Sequence, residues 1–159
     1  MSLECKLSLE SWDLLEPFEI SRGDVDRLRA EVVVERRPEL SYLDPQHDAR
    51  AAAHIVSGLY PDGWMSAKAS VVLKVPDDVK SIGVSFFIPE TAPARHIQLL
   101  ADGQLIAEDT FAKPGAYALT APYRAASKTA TITVTADQTF TAPGDERKLG
   151  VVIVGVGFR

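Results

Sequence analysis

Apolar and polar positions alternate in short blocks along the second half of the chain. The clearest block is 128–136, where Thr129, Thr131, Thr133 and Thr135 fall on one side and Ala130, Ile132, Val134 and Ala136 on the other. A period of two residues predicts a strand with one solvated face and one core face. Residues 69–75 and 82–88 repeat the pattern, the latter with Ile82, Val84, Phe86 and Ile88 on one face and Gly83, Ser85 and Phe87 on the other. Between 97 and 111 two apolar-rich segments flank Asp102-Gly103, a pair that tolerates the positive φ angles of a type I′ turn, so a hairpin is predicted there. Pro114-Gly115 introduces a short strand at 117–119, and Pro143-Gly144 separates the Thr-rich strand from the last one. In that last strand, 149–158, Leu149, Val151 and Ile153 alternate with Val152, Val154, Val156 and Phe158, which predicts a central strand covered on both faces. Turn signals recur about every ten residues, the spacing of an antiparallel sandwich.

The first 55 residues follow a different pattern. Segments 5–15 and 30–35 read as two strands that pair as a long hairpin, with Arg22-Gly23, Asp24 and Asp26 as turn chemistry between them. Asp44-Pro45 has the form of a helix start, and the Ala-rich stretch 48–55 continues it for two turns. Arg36, Arg37, Pro38 and Glu39 form a polar break. The predicted organisation is an N-terminal hairpin extension at 1–37, a linker or short helix at 38–55, and a β-sandwich at 56–159. A hairpin of that size lacks a core of its own and is expected to dock on the sandwich or on a second subunit.

Composition narrows the function. The 159 residues are 46% hydrophobic and 25% charged, an average globular balance. Seventeen basic against 22 acidic residues give a net charge of -5, the wrong sign for a protein that binds by neutralising phosphates, so nucleic acid is not an expected partner. Cys5 is the single cysteine and has no partner for an internal disulfide. The opening residues lack the basic and apolar regions of a signal peptide, and no apolar run is long enough to span a bilayer as a helix. A cytoplasmic location is expected on these grounds. There is no Asn, hence no N-glycosylation sequon.

Reaction chemistry is sparse. Gly150, Gly155 and Gly157 crowd the C-terminus, but a dinucleotide fingerprint needs a helix after its glycines, and only Phe158 and Arg159 follow. Glycines within a strand that another backbone or a bulky ring approaches closely are the expected reading. On one helix, His47 and His54 would stand about 10 Å apart, too far to share an ion, and His96 is distant in sequence. No Ser sits in a nucleophile elbow, and Asp77 and Asp78 follow Pro76 in a solvated turn. No catalytic set and no cofactor are expected.

Two segments remain as ligand candidates. Gly58-Leu59-Tyr60-Pro61-Asp62-Gly63-Trp64 places two aromatics around a Pro-Asp-Gly turn, and Gly144-Asp145-Glu146-Arg147-Lys148-Leu149-Gly150 places an acid and a base two residues apart. Aromatic faces stack on the apolar C–H surfaces of sugars, while paired Asp and Arg hydrogen-bond hydroxyls. The predicted ligand-binding set is Tyr60, Asp62, Trp64, Asp145 and Arg147. The competing structural reading has Trp64 plugging one end of the sandwich and Asp145 with Arg147 closing a turn.

These segments carry a resemblance. The stretches SGLYPDGWMSAKASVVLK, IPETAPARHIQLLADGQLIA and GDERKLGVVIVGVGF, within 57–158, resemble the jelly-roll-like β-sandwich accessory domains found with bacterial glycosyltransferases and other cell-envelope carbohydrate proteins. That resemblance implies an all-β, jelly-roll-like sandwich, an accessory role and no catalytic residues. A second one lies at 5–36, where CKLSLESWDLLEPFEISRGD and RAEVVVER resemble the opening capping-domain hairpin of enolase-superfamily dipeptide epimerases. The likeness stops after residue 36 and no Lys-x-Lys pair is present, so epimerase activity is not implied. The leading expectation is a non-catalytic binding or interaction module with a saccharide or protein partner. The alternatives are a structural or oligomerising domain without a small-molecule ligand, and a remnant of an enolase-superfamily isomerase lacking its catalytic barrel.

Overall fold

In a computed structural model, residues 38–159 are described. The expected N-terminal hairpin, Cys5 and the epimerase-like segment lie outside them. The described residues form nine strands: β1 (Tyr42–Leu43), β2 (Ile55–Leu59), β3 (Met65–Lys74), β4 (Ser81–Ile88), β5 (Arg95–Ala101), β6 (Gln104–Phe111), β7 (Gly115–Pro122), β8 (Thr129–Ala136) and β9 (Val152–Phe158). They build a four-stranded sheet in the order β1-β9-β4-β7 and a five-stranded sheet in the order β2-β3-β8-β5-β6. All pairings are antiparallel. The fold is therefore an all-β, two-sheet antiparallel sandwich, as the alternation predicts, and of the jelly-roll-like type that the resemblance of 57–158 implies.

Alternating side chains make the core. Ile82, Val84, Phe86 and Ile88 of β4 face Val71 and Leu73 of β3, Ile97 and Leu99 of β5, and Ile132 and Val134 of β8 in one buried cluster. The Thr face of β8 points away from it, and only Thr133 on that face is buried, with its Oγ1 hydrogen-bonded to Ser70 Oγ at 3.0 Å. The hairpin between β5 and β6 turns at Asp102 (φ 49°) and Gly103 (φ 81°), the two left-handed residues a type I′ turn requires. Asp102 further accepts the backbone N–H of Thr131 through Oδ1 at 2.8 Å, tying the turn to β8.

Residues 38–55 contribute to the sandwich itself. β1 pairs with β9, Leu40, Leu43 and Ala51 join the core, and Lys74 N donates to Leu40 O at 2.8 Å. The helix expected over 48–55 is a single 3-10 turn, Ala51–His54. Asp44 does cap, but a turn: its Oδ1 accepts from Gln46 N and His47 N, both at 3.1 Å, which satisfies the amides locally instead of starting a helix. His54 is buried at the end of the 3-10 turn. Its Nε2 accepts from the backbone N–H of Glu39 (3.0 Å) and of Leu40 (3.2 Å), so Nδ1 carries the proton and donates to Arg50 O at 3.0 Å. Both ring nitrogens are engaged in holding the chain, and neither is free for an ion.

The expectation for the last strand needs correction. β9 is internal in its sheet, but its outer face is not covered throughout, since Val154 is 48% exposed and Phe87, on the neighbouring β4, is 41% exposed. The reason is a β-bulge. Ser85 pairs with Gly155 while Phe86 pairs with Ile153, which leaves Val154 as an extra residue. The inward phase therefore switches, from Leu149, Val151 and Ile153 before the bulge to Val156 and Phe158 after it. An uninterrupted period of two makes the same residues look apolar on both faces. The glycines meet the expectation of close approach: a side chain at Gly155 would collide with the Tyr42 ring, and one at Gly157 (φ 153°) with Ser41 O and Tyr42 Cα.

Gly157→Ala places a methyl group against β1 backbone that has no rotamer with which to yield. It is expected to lower stability in urea denaturation by about 1–3 kcal/mol. Amide exchange at Phe158, whose N–H donates to Ser41 O at 2.8 Å, should accelerate in the same variant.

Candidate functional site

Two loops meet at one end of the sandwich. The turn between β2 and β3 is closed by Tyr60 N donating to Trp64 O (2.8 Å) and Gly63 N to Tyr60 O (2.9 Å), with Gly63 at φ 86°. The loop between β8 and β9 doubles back on itself, with Phe140 and Leu149 exchanging both backbone hydrogen bonds at 2.8–2.9 Å. Trp64 ties the first of them to the start of β9 through an isolated pairing with Val152.

Arg147 is the hub. Its Nε donates to Asp145 Oδ1 and Oδ2 (both 3.0 Å) and its Nη2 to Asp145 Oδ2 (2.7 Å), a bidentate pair within one loop. Toward the other loop, Nη1 donates to Asp62 Oδ1 (3.3 Å) and Nη2 to Asp62 Oδ2 (2.8 Å). The guanidinium carbon also stands 4.6 Å from the centroid of the Tyr60 ring. Four of the five residues singled out from the sequence thus come together, with Tyr60, Asp62 and Asp145 all meeting Arg147, Asp62 across 85 positions of chain. Trp64 is half-buried beside them and packs edge-on against Phe140, with centroids 5.7 Å apart. The Asp145–Arg147 turn closure foreseen by the structural reading is present, and Arg147 joins a second loop as well.

The charges reinforce one another. Hydrogen bonding from Arg147 holds the Asp145 and Asp62 carboxyls below the usual aspartate range, and the two carboxylates push the Arg147 guanidinium further from deprotonation, Asp145 most. One positive against two negative charges leaves the cluster net negative. The Asp62 side chain is 49% exposed, so its remaining acceptor capacity faces solvent.

Sequence reasoning missed Gln46 and Phe140. Gln46 Nε2 donates to Asp62 O at 2.7 Å, and its side chain packs where a Cβ on Gly63 would lie. It also lines a shallow depression of about 380 Å³ with Pro45, His47, Ala52, Ile55 and Pro61, next to the Asp62 turn. No local motif flags a lone Gln 16 residues from its partner. His47 stands at the rim of that depression with Nδ1 2.9 Å from Asp44 Oδ2. Among the described residues no group of three or more His, Cys, Asp and Glu is placed to hold a metal ion.

No family model matches the chain, and no curated protein matches it. Among solved structures, it is similar to the carbohydrate-binding module CBM36 in complex with calcium and xylotriose, at 14% identity and a TM-score of 0.45 over 76% of this chain and all of that one. It is also similar to a family 35 carbohydrate binding module from an environmental isolate, at 12% identity and a TM-score of 0.40 over 79% of this chain and 89% of that one. A third likeness, at 11% identity and a TM-score of 0.40, is to dimeric latent PorU from Porphyromonas gingivalis, over 77% of this chain and 13% of that one. At such distances none of them transfers a ligand or a residue role to this chain.

The Asp62 and Asp145 pKa values are lowered in the folded protein, so their ionised forms stabilise the loop end above the ordinary aspartate range, near pH 3.9, and that contribution is lost as pH falls through the lowered values. In a carboxyl-carbon NMR titration both groups should protonate below that range, and Arg147→Met should move both upward. Unmoved midpoints in Arg147→Met would mean that Arg147 does not set them.

Proposed function

We propose that the sandwich is a non-catalytic binding module, and that Tyr60, Asp62, Trp64, Asp145 and Arg147 form the edge at which it holds a saccharide. The observation that carries this reading is the Arg147 cross-link: two carboxylates from different loops are fixed beside an aromatic ring, with the Asp62 oxygens half-exposed. A preorganised acceptor pair loses little entropy on binding hydroxyl donors, and the Tyr60 and Trp64 rings supply apolar surface for the C–H face of a sugar. The depression beside Gln46 and Pro61 extends the same edge far enough for a neighbouring ring. Arg147 holds both carboxylates ionised, so neither is poised as the protonated general acid that a two-carboxylate hydrolysis needs. The resemblance of 57–158 to accessory domains found with glycosyltransferases puts a cell-envelope polysaccharide first among the glycans to test.

A second reading has one observation in its favour. Phe87 and Val154 leave apolar surface on the outer face of the four-stranded sheet, and a protein-interaction role would use that face rather than the loop end.

Glycan-array screening followed by calorimetry on the strongest ligand tests the proposal. Trp64→Ala should weaken binding about tenfold or more, and Arg147→Met should weaken it comparably by releasing both carboxylates. Absence of any glycan binding, or wild-type affinity retained in both variants, overturns it. Phe87→Ser should leave glycan affinity unchanged.

A further inference from the structure

Arg95 opens β5 in the inward phase, in register with Ile97, Leu99 and Ala101, and is 0% exposed. It pairs across the sheet with Phe111, and its guanidinium carbon stands 5.6 Å from the centroid of the Phe140 ring. Nη1 donates to Pro93 O at 2.9 Å and to Ala94 O at 3.4 Å. Nε and Nη2 are buried and have no hydrogen-bond partner among the described residues. Asp137 favours the charged form only at a distance, while its Oδ1 accepts the backbone N–H of His96 at 2.8 Å. A guanidinium keeps its proton inside a protein, so this is a buried cation with two orphaned donors.

The orphaned atoms are on one edge. Nε and Nη2 of an arginine point in parallel and match the two oxygens of a carboxylate. The same edge of Arg147 holds Asp145 in this protein. We infer that the Nε/Nη2 edge of Arg95 is a fork for a small carboxylate ligand, seated beneath Phe140 at the loop end of the sandwich.

Charge decides against a neutral occupant. A buried water accepts hydrogen bonds from the edge but leaves the cation without a counter-charge, whereas a planar monoanion satisfies both donors and neutralises it. A tetrahedral dianion brings more charge and further oxygens than the two free donors can serve. Half-buried Phe140, on the loop between β8 and β9, is the aromatic ring beside the guanidinium and so the first side chain to test as the cover of the site. Arg95 hydrogen-bonds to none of the five residues proposed to form the saccharide edge, although Phe140, which packs on Trp64, borders both.

The test uses the full chain and arginine Nε–H correlation spectra. Sodium acetate is titrated against sodium chloride at constant ionic strength, with acetamide as the neutral isostere and inorganic phosphate as the tetrahedral anion. Arg95 Nε should shift saturably with acetate and not with acetamide, while Arg147 Nε stays fixed. At ten times its dissociation constant, acetate should raise the folding equilibrium constant about elevenfold in the wild type. Arg95→Met should abolish that gain, and Phe140→Ala should lower the acetate concentration needed for it. An Arg95 Nε signal indifferent to acetate overturns the proposal even if Arg95→Met fails to fold. So does an acetate response that persists in Arg95→Met, and an equal response to phosphate overturns the carboxylate assignment.

Discussion

Because Ile153 and Gly155 pair with consecutive residues of β4, β9 enters its sheet with one residue more than its partner, and the inward phase shifts at Val154. Much of the loop end depends on that shift. Ahead of the bulge, Met65 N donates to Val151 O and Gly150 N to Met65 O, so 149–151 run against the start of β3 and hold the Asp145–Arg147 loop over the Tyr60–Asp62 turn. After the bulge, Val156 and Phe158 point into the sandwich while Gly155 and Gly157 lie outward, where Tyr42 and the β1 backbone close over them. Without the extra residue, one side of Val154 or the other would present its apolar set to water.

The two arginines at this end are opposite solutions to one electrostatic problem. Arg147 is partly exposed and engages two carboxylates and an aromatic face, so its charge organises neighbours that still reach solvent. Arg95 is fully buried with two carbonyl contacts and an aromatic face, and among the described residues no acidic side chain comes within hydrogen-bonding distance of its free edge. Exposed ion pairs contribute little to stability, so the value of the Arg147 cluster lies in fixing geometry. Burial without compensation is costly, so the value of Arg95 lies in what it recognises.

The strands were legible because one solvated face and one core face impose a period of two on residues such as those of β8 and β4. The Asp102-Gly103 hairpin was legible because few residue pairs accept two positive φ angles. The bulge was not, because one inserted residue leaves local composition unchanged and only its pairing partner on β4 reveals it. The 3-10 turn at 51–54 was read as a longer helix because Ala propensity is local, whereas His54 and the core contact of Ala51 act at long range. Four members of the candidate site could be named from two short motifs, but not their contact, since the join depends on how two loops separated by most of the sandwich are brought to one end. Arg95 carried a signal that passed unused: a charge in the apolar phase of an alternating strand marks a buried ion.

The central claim is that the Arg147-linked loop end is where ligand binds. Chemical-shift mapping during titration with the strongest array glycan tests it most directly. The account predicts saturable shifts at the Trp64 indole N–H, Arg147 Nε and the Gln46 side-chain amide, with the outer faces of both sheets silent. Saturable shifts confined to the outer face around Phe87 and Val154, with those three probes unmoved, would contradict it.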